Sequence, residues 1–178
     1  ASGGNLYNIN NKNVHSYGYF QTLKSKLIRT LHLGNFFPDE KIKIEDKGEN
    51  KENELKEVDI IVGADLFLRK SILEEVGYFD EDFFLYDEES ELQFRIKKAG
   101  YKIFIIPESK IYHLEGQSNK DRVLSRTYKM VSEIIFYKKC YGRKHLELYK
   151  CICCLPNLPR LLFHPKIIYK SLSYIRKI

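Results

Sequence analysis

The sequence predicts an α/β domain followed by a basic helical extension. Three observations carry that expectation. The runs Val58-Asp59-Ile60-Ile61-Val62 and Lys102-Ile103-Phe104-Ile105-Ile106 are short, apolar and rich in β-branched residues, as buried strands are. Between them, residues 88–99 place Leu92, Ile96 and Ala99 on one face, the pattern of an amphipathic helix. After Ser118 strand patterning stops, and Val123, Thr127, Met130, Ile134 and Ile135 recur at helical spacing.

Of the 178 residues, 43% are hydrophobic, enough for one core. The net charge of +6 is unevenly placed: residues 118–178 hold 14 Lys and Arg against 3 Asp and Glu, leaving 16 against 21 for residues 1–117. An acidic body with a basic tail suits an anionic surface, such as lipid headgroups. Nucleic acid is not expected as a partner, because the basic residues lie on amphipathic helices without a nucleic-acid motif. Cys140, Cys151, Cys153 and Cys154 lack the paired spacing of a zinc site and predict reduced thiols. No apolar run approaches the roughly 18 residues a membrane span needs. A cytoplasmic location, peripheral at the inner face of the cell membrane, is the expectation.

Taken in order, residues 1–4 read as a polar start and residues 5–19 as loop with a short strand. Leu23, Leu27, Ile28 and Leu31 predict a helix over 20–33, stopped by Gly34. The charged run 39–57 reads as a mobile surface loop. The strand at 58–62 ends in Gly63-Ala64, two small residues that permit close backbone approach. A short helix over 69–76 stops at Gly77. The 88–99 helix carries an i,i+4 pair, Glu91 and Arg95, and closes at Gly100. Pro107 ends the strand at 102–106, and a third strand covers 110–113. Helices are expected at 122–141, 145–155 and 166–178. Two regions result: residues 1–118, and a basic tail over 119–178.

The chemistry concentrates in Tyr78-Phe79-Asp80-Glu81-Asp82-Phe83-Phe84-Leu85-Tyr86-Asp87-Glu88-Glu89. Carboxylates mixed with rings suit a polar ligand with an apolar face, such as a sugar. An acidic helix start with core aromatics behind it has the same composition. Glu88 and Glu89 fall in the first turn of a helix, where the dipole favours an ionised carboxylate able to take a proton from a hydroxyl. Asp80-Glu81-Asp82 is a metal-type triplet that acidic segments also produce by chance. His113 ends a strand, and a lone histidine is more often a satisfied surface or core residue than a ligand.

In order and spacing these residues resemble a family. Gly63-Ala64, Arg69, Glu75-Val76-Gly77-Tyr78-Phe79-Asp80-Glu81, Phe83-Phe84, Tyr86, Glu88-Glu89, Glu91-Leu92, Arg95, Ala99-Gly100-Tyr101, Pro107, His113, Gly116 and Ser118 look like the second, acceptor-side half of a glycosyltransferase family 2 enzyme, in the rhamnosyltransferase-like subgroup. His15 to Phe20 resembles the segment that precedes this region, so the likeness spans roughly residues 14–118.

The resemblance implies a partial GT-A fold and an inverting sugar transfer from a nucleotide sugar to a polysaccharide or lipid-linked acceptor. It implies Glu89 as general base beside Glu88, with Glu89 standing where the family usually has Asp. It implies substrate contacts at Gly63, Ala64, Asp80, Tyr86, Glu91 and Arg95, and His113 beside a Mg²⁺ or Mn²⁺ ion. The family's donor-binding half, with its metal-binding Asp-x-Asp, has no counterpart before residue 14. The expectation is therefore a C-terminal portion of such an enzyme. The rival expectation is a non-catalytic interaction module that binds a partner half or an anionic membrane.

Overall fold

The computed structural model describes residues 1–50, 54–114 and 122–157. Its centre is a three-stranded sheet in the order β1 (Ser2–Tyr7), β5 (Phe104–Tyr112), β3 (Lys56–Glu57), with β1 parallel and β3 antiparallel to β5. A second ladder pairs β2 (Tyr17–Gly18) with β4 (Ile60–Ile61). The helices are α1 (Leu23–Thr30), α2 (Pro38–Glu45), α3 (Lys70–Val76), α4 (Glu88–Lys98), α5 (Arg122–Phe136) and α6 (Arg143–Cys154).

Residues 2–7 form a strand where a polar start and a loop were expected. Gly3 and Gly4 are needed there because a Cβ on Gly3 would fall 2.3 Å from Ile61, and one on Gly4 2.5 Å from Ser109. Residues 5–7 continue this strand, and Leu6 is 1% exposed. Pro107 does not end β5. Gly4 pairs with Ile106 and Asn5 with Lys110, so Pro107, Glu108 and Ser109 bulge out of register and no ladder bond is asked of the proline. The strands expected at 102–106 and 110–113 are thus one.

The expected single strand at 58–62 is divided. Val58 N–H donates to Ile103 O beside the main sheet, whereas Ile60 and Ile61 join β2. The strand patterns predict Ile60, Phe104 and Ile105 inside. The structure buries Ile61, Ile103 and Ile105, at 1%, 0% and 0% exposure, and leaves Ile60 and Phe104 only half-buried. Leu92, Ile96 and Ile105 are core as expected and pack with Tyr17, Val58 and Ile72.

The run 39–57 is built rather than loose. α2 opens on Pro38, with Asp39 and Glu40 in its first turn. Asp46 then accepts from Tyr17 Oη at 3.0 Å, Lys56 Nζ at 3.2 Å and Gly48 N–H at 2.8 Å. Residues 51–53 lie outside the described residues. The helices expected at 69–76, 88–99, 122–141 and 145–155 correspond to α3, α4, α5 with the wide turn Tyr137–Tyr141, and α6. The helix expected at 166–178 lies outside the described residues. Phe20, Phe94, Phe136 and Tyr141 meet edge to face in succession between α4 and the α5–α6 corner, and Lys26 of α1 reaches Glu133 of α5 at 3.1 Å. The described part of the basic extension, residues 122–157, therefore packs onto the α/β body.

Candidate functional site around the start of α4

Everything that positions the first turn of α4 can be followed from the loop before it. Gly77 ends α3 with φ +87°, and Arg95 Nη1 lies 3.1 Å from where its Cβ would be. Arg95 donates from Nη1 to Val76 O and from Nη2 to Tyr78 O at 2.7 Å. The same guanidinium grips Glu91, with Nε at 2.9 and 3.0 Å from the two carboxylate oxygens and Nη2 at 2.8 Å. The i,i+4 pair is formed as expected. Its polar atoms hold the loop to the helix, an architectural role for Glu91 and Arg95.

Asp80 and Asp82 both face Lys139, at 2.5 and 2.6 Å. The lysine holds the Asp80 carboxyl below its usual range. Farther along, Ser132 Oγ donates to Leu85 O at 2.7 Å, and the exposed Phe84 ring lies 5.0 Å from Tyr128. The loop is thus fixed to α4 at one end and to α5 at the other.

Its last two residues are strained. Tyr86 and Asp87 have φ of +70° and +63°, consecutive left-handed positions without a glycine. Each costs on the order of 1 kcal/mol, and such residues concentrate at functional sites. The turn aims the carboxylates of residues 87–89 inward. Burial pushes the Asp87 carboxyl up to about 6, with Glu133 adding to the rise and Lys129 opposing it. Glu88 Oε2 and Glu89 Oε2 are both buried without a hydrogen-bond partner.

Glu89 is the most perturbed of the three. Burial raises its carboxyl to about 7; the charges of Glu88 and Asp87 add to that, and the N–H groups of Glu89 and Gly63 resist it. Burial therefore outweighs the helix-start field that favoured full ionisation. A Cβ on Gly63 would lie 3.6 Å from Glu89 Cβ and Cγ. The small residues after β4 leave room for that side chain. Ala64 follows in the same exposed turn, and Asp65 Oδ2 accepts from Gly4 N–H at 2.6 Å.

Gln93 was not singled out by sequence reasoning. It is fully buried and bridges α4 to β4: Ile61 N–H donates to its Oε1 at 2.7 Å, and its Nε2 donates to Ile61 O at 2.8 Å and Glu89 O at 3.0 Å. The available signal was an amide at i+4 from Glu89 and i−3 from Ile96, on a face otherwise apolar.

His113 stands apart. The segment Gly63–Asp65 meets β1 at Gly3 and Gly4, whereas His113 follows β5 beside Tyr7, at the other end of that strand, where its N–H donates to Tyr7 O at 2.8 Å. No contact among the described residues joins it to Glu89. Nor, among those residues, do three His, Cys, Asp or Glu side chains converge as metal ligands. The residues present do not fit a Mg²⁺ or Mn²⁺ site at His113 or at Asp80-Glu81-Asp82. The matching positions Gly116 and Ser118 lie outside the described residues.

Residues 51–152, more than half of the chain, match the family model described as "Glycosyl transferase family group 2". The chain belongs to that family. Membership carries a GT-A-like α/β fold, with which the mixed sheet and its helices agree. Among curated proteins, the chain is similar to an N-acetylglucosaminyl-diphospho-decaprenol L-rhamnosyltransferase of Mycobacterium tuberculosis (strain CDC 1551 / Oshkosh), 31% identical over 86 residues. It is also similar to the Low-salt glycan biosynthesis hexosyltransferase Agl10 of Haloferax volcanii, 38% identical over 53 residues. These matches cover 48% and 30% of this chain but only 28% and 17% of the relatives, so the likeness spans a minor part of each relative's length. No helix among the described residues is long and apolar enough to cross a membrane.

Proposed function

We propose that these residues form the acceptor-side half of an inverting family 2 glycosyltransferase, with Glu89 as its general base. One observation carries the reading: a carboxylate at the start of α4 with a buried, unpartnered oxygen and a pKa near 7. A base poised near neutrality takes a proton efficiently and also exists ionised at working pH. Glu89 removes the proton of an acceptor hydroxyl, the freed oxygen forms a bond to the anomeric carbon, and the bond to the nucleoside diphosphate breaks with inversion. The diphosphate leaves with the electron pair. Glu88 and Asp87 hold the proton affinity of Glu89 up, and Tyr86 sets the turn that aims it.

By analogy with the mycobacterial relative, the donor is a nucleotide-activated deoxyhexose or hexose and the acceptor a diphospho-polyprenol-linked sugar. A divalent ion would draw its ligands from outside the described residues, and no step above passes through it. The basic tail fits a peripheral contact with the membrane that carries such an acceptor. Transfer of labelled sugar by the enzyme bearing this stretch tests the reading. Glu89→Gln is expected to lower turnover by about 10²–10⁴-fold while the donor KM changes little. Turnover within a few-fold of wild type would rule Glu89 out as the base, and no transfer by the wild-type enzyme would favour an interaction role.

A further inference from the structure

Outside this site, the hairpin made by α1, the turn Gly34–Phe36 and α2 has an unusual surface. Phe36 at its tip is 78% exposed and Ile42 on α2 68%, with Leu31 and Phe37 exposed beside them at 46% and 40%. Four large apolar side chains exposed within residues 31–42 are more than a water-facing hairpin needs. Next to it lies a cleft of about 230 Å³ whose lining includes Arg29, His32, Asn35 and Lys41. Arg29 makes no ion pair among the described residues, and Lys41 donates to Asn35 at 3.0 Å with Glu45 at 3.8 Å. Lys24 lies over the Phe37 ring at 5.6 Å. From residue 22 to 45 the hairpin holds five Lys and Arg against three Asp and Glu, although residues 1–117 as a whole are acidic.

We propose that the α1–α2 hairpin docks on an anionic phospholipid bilayer, inserting Phe36 and Ile42 at the interface and seating lipid phosphate at Arg29 and Lys41. Charge complementarity selects this occupant: an apolar tip beside a cationic notch matches acyl chains beneath a layer of phosphates. The hairpin leaves the chain between β2 and β3 and shares no residue with the α4 turn, so this contact does not depend on the assignment of Glu89. It is also separate from any contact made by the tail.

The chain contains no tryptophan, which makes Phe36→Trp a single reporter. With vesicles of phosphatidylglycerol and phosphatidylcholine in low salt, the full F36W chain is expected to co-sediment, and its indole emission to shift to the blue. Salt should reverse the shift, and pure phosphatidylcholine should give little of it. Phe36→Ser with Ile42→Ser, both on exposed side chains, should lower partitioning about 10-fold or more with an unchanged far-ultraviolet circular dichroism spectrum. Arg29→Gln with Lys41→Gln should weaken binding to anionic vesicles alone. Co-sedimentation without a change in emission would mean that another segment docks, and would overturn the proposal while leaving a membrane contact by the tail intact. Failure to sediment at all would overturn it as well. An emission shift that follows protein concentration and not lipid would assign the patch to a second copy of the chain.

Discussion

Gln93 of α4 occupies both main-chain hydrogen-bonding groups of Ile61, at 2.7 and 2.8 Å, standing in for a neighbouring strand that β4 lacks on that side. The same amide reaches the carbonyl of Glu89 at 3.0 Å. One side chain thus sets the distance between the sheet and the first turn of α4.

Gln93→Leu would remove these partners inside a fully buried site. Unpaired buried backbone groups cost about 1–3 kcal/mol each, so a loss of roughly 2–4 kcal/mol is expected in urea denaturation. If Glu89 is positioned by this bridge, its carboxyl pKa should move as well. A variant as stable as wild type would show that water or a shifted helix replaces the amide.

The pH dependence of stability follows from Glu89 and Asp87. Their folded pKa values, about 7 and about 6, lie above the reference values of 4.5 and 3.8. Below both references the carboxyls are protonated in either state and cost nothing. As pH rises from about 4 to 7 the unfolded chain ionises first, the folded state binds more protons, and stability falls. Glu89→Gln should therefore stabilise the fold at pH 8 by on the order of 2 kcal/mol and have little effect at pH 4. Melting curves at the two pH values check this, and carbon-13 detection of the Glu89 carboxyl gives its pKa directly.

Arg95→Lys tests the architectural role assigned to the Glu91–Arg95 pair. An ammonium cannot serve Glu91, Val76 O and Tyr78 O together. A loss of about 1–3 kcal/mol is expected, with faster amide exchange over residues 76–80 at the loop start. Unchanged exchange there would mean that the loop is held by Lys139 and Ser132 alone.

Lys139 also decides the fate of the acidic triplet. With its ammonium between Asp80 and Asp82, Mn²⁺ should cause no site-specific paramagnetic broadening at residues 80–82. Lys139→Ala should free the two carboxylates and allow weak broadening. Broadening of equal strength in the wild type would identify the triplet as a cation site after all.

Among the described residues the helices other than α2, which fell in a run read as a loop, were legible because their determinants are local. Gly77 and Gly100 stop α3 and α4 in left-handed conformations, and Leu92 and Ile96 mark the buried face. β1 and the course of β5 through Pro107 were not, because their determinants are remote. Ser2-Gly3-Gly4-Asn5 has no β propensity and becomes a strand only because β5 offers it a parallel edge and leaves no space for side chains. Pro107 lies within a strand because a bulge excuses its missing donor. At the site, the carboxylates of the first α4 turn stand out by composition. Their burial, which raises the Glu89 carboxyl above the range expected at a helix start, depends on Gly63 and on α5 and is invisible to local patterning. The position of His113 relative to Glu89 likewise depends on how the sheet orders its strands.

The paired left-handed turn at Tyr86 and Asp87 has a consequence for anyone who sets out to improve this domain. Glycine at either position would adopt the same backbone without strain. Selection for melting temperature alone would therefore drift towards glycine there and lose the rigidity that points the carboxylates inward. Robustness and aim are opposed at these two residues, so a hardened variant of this domain would have to gain its stability elsewhere.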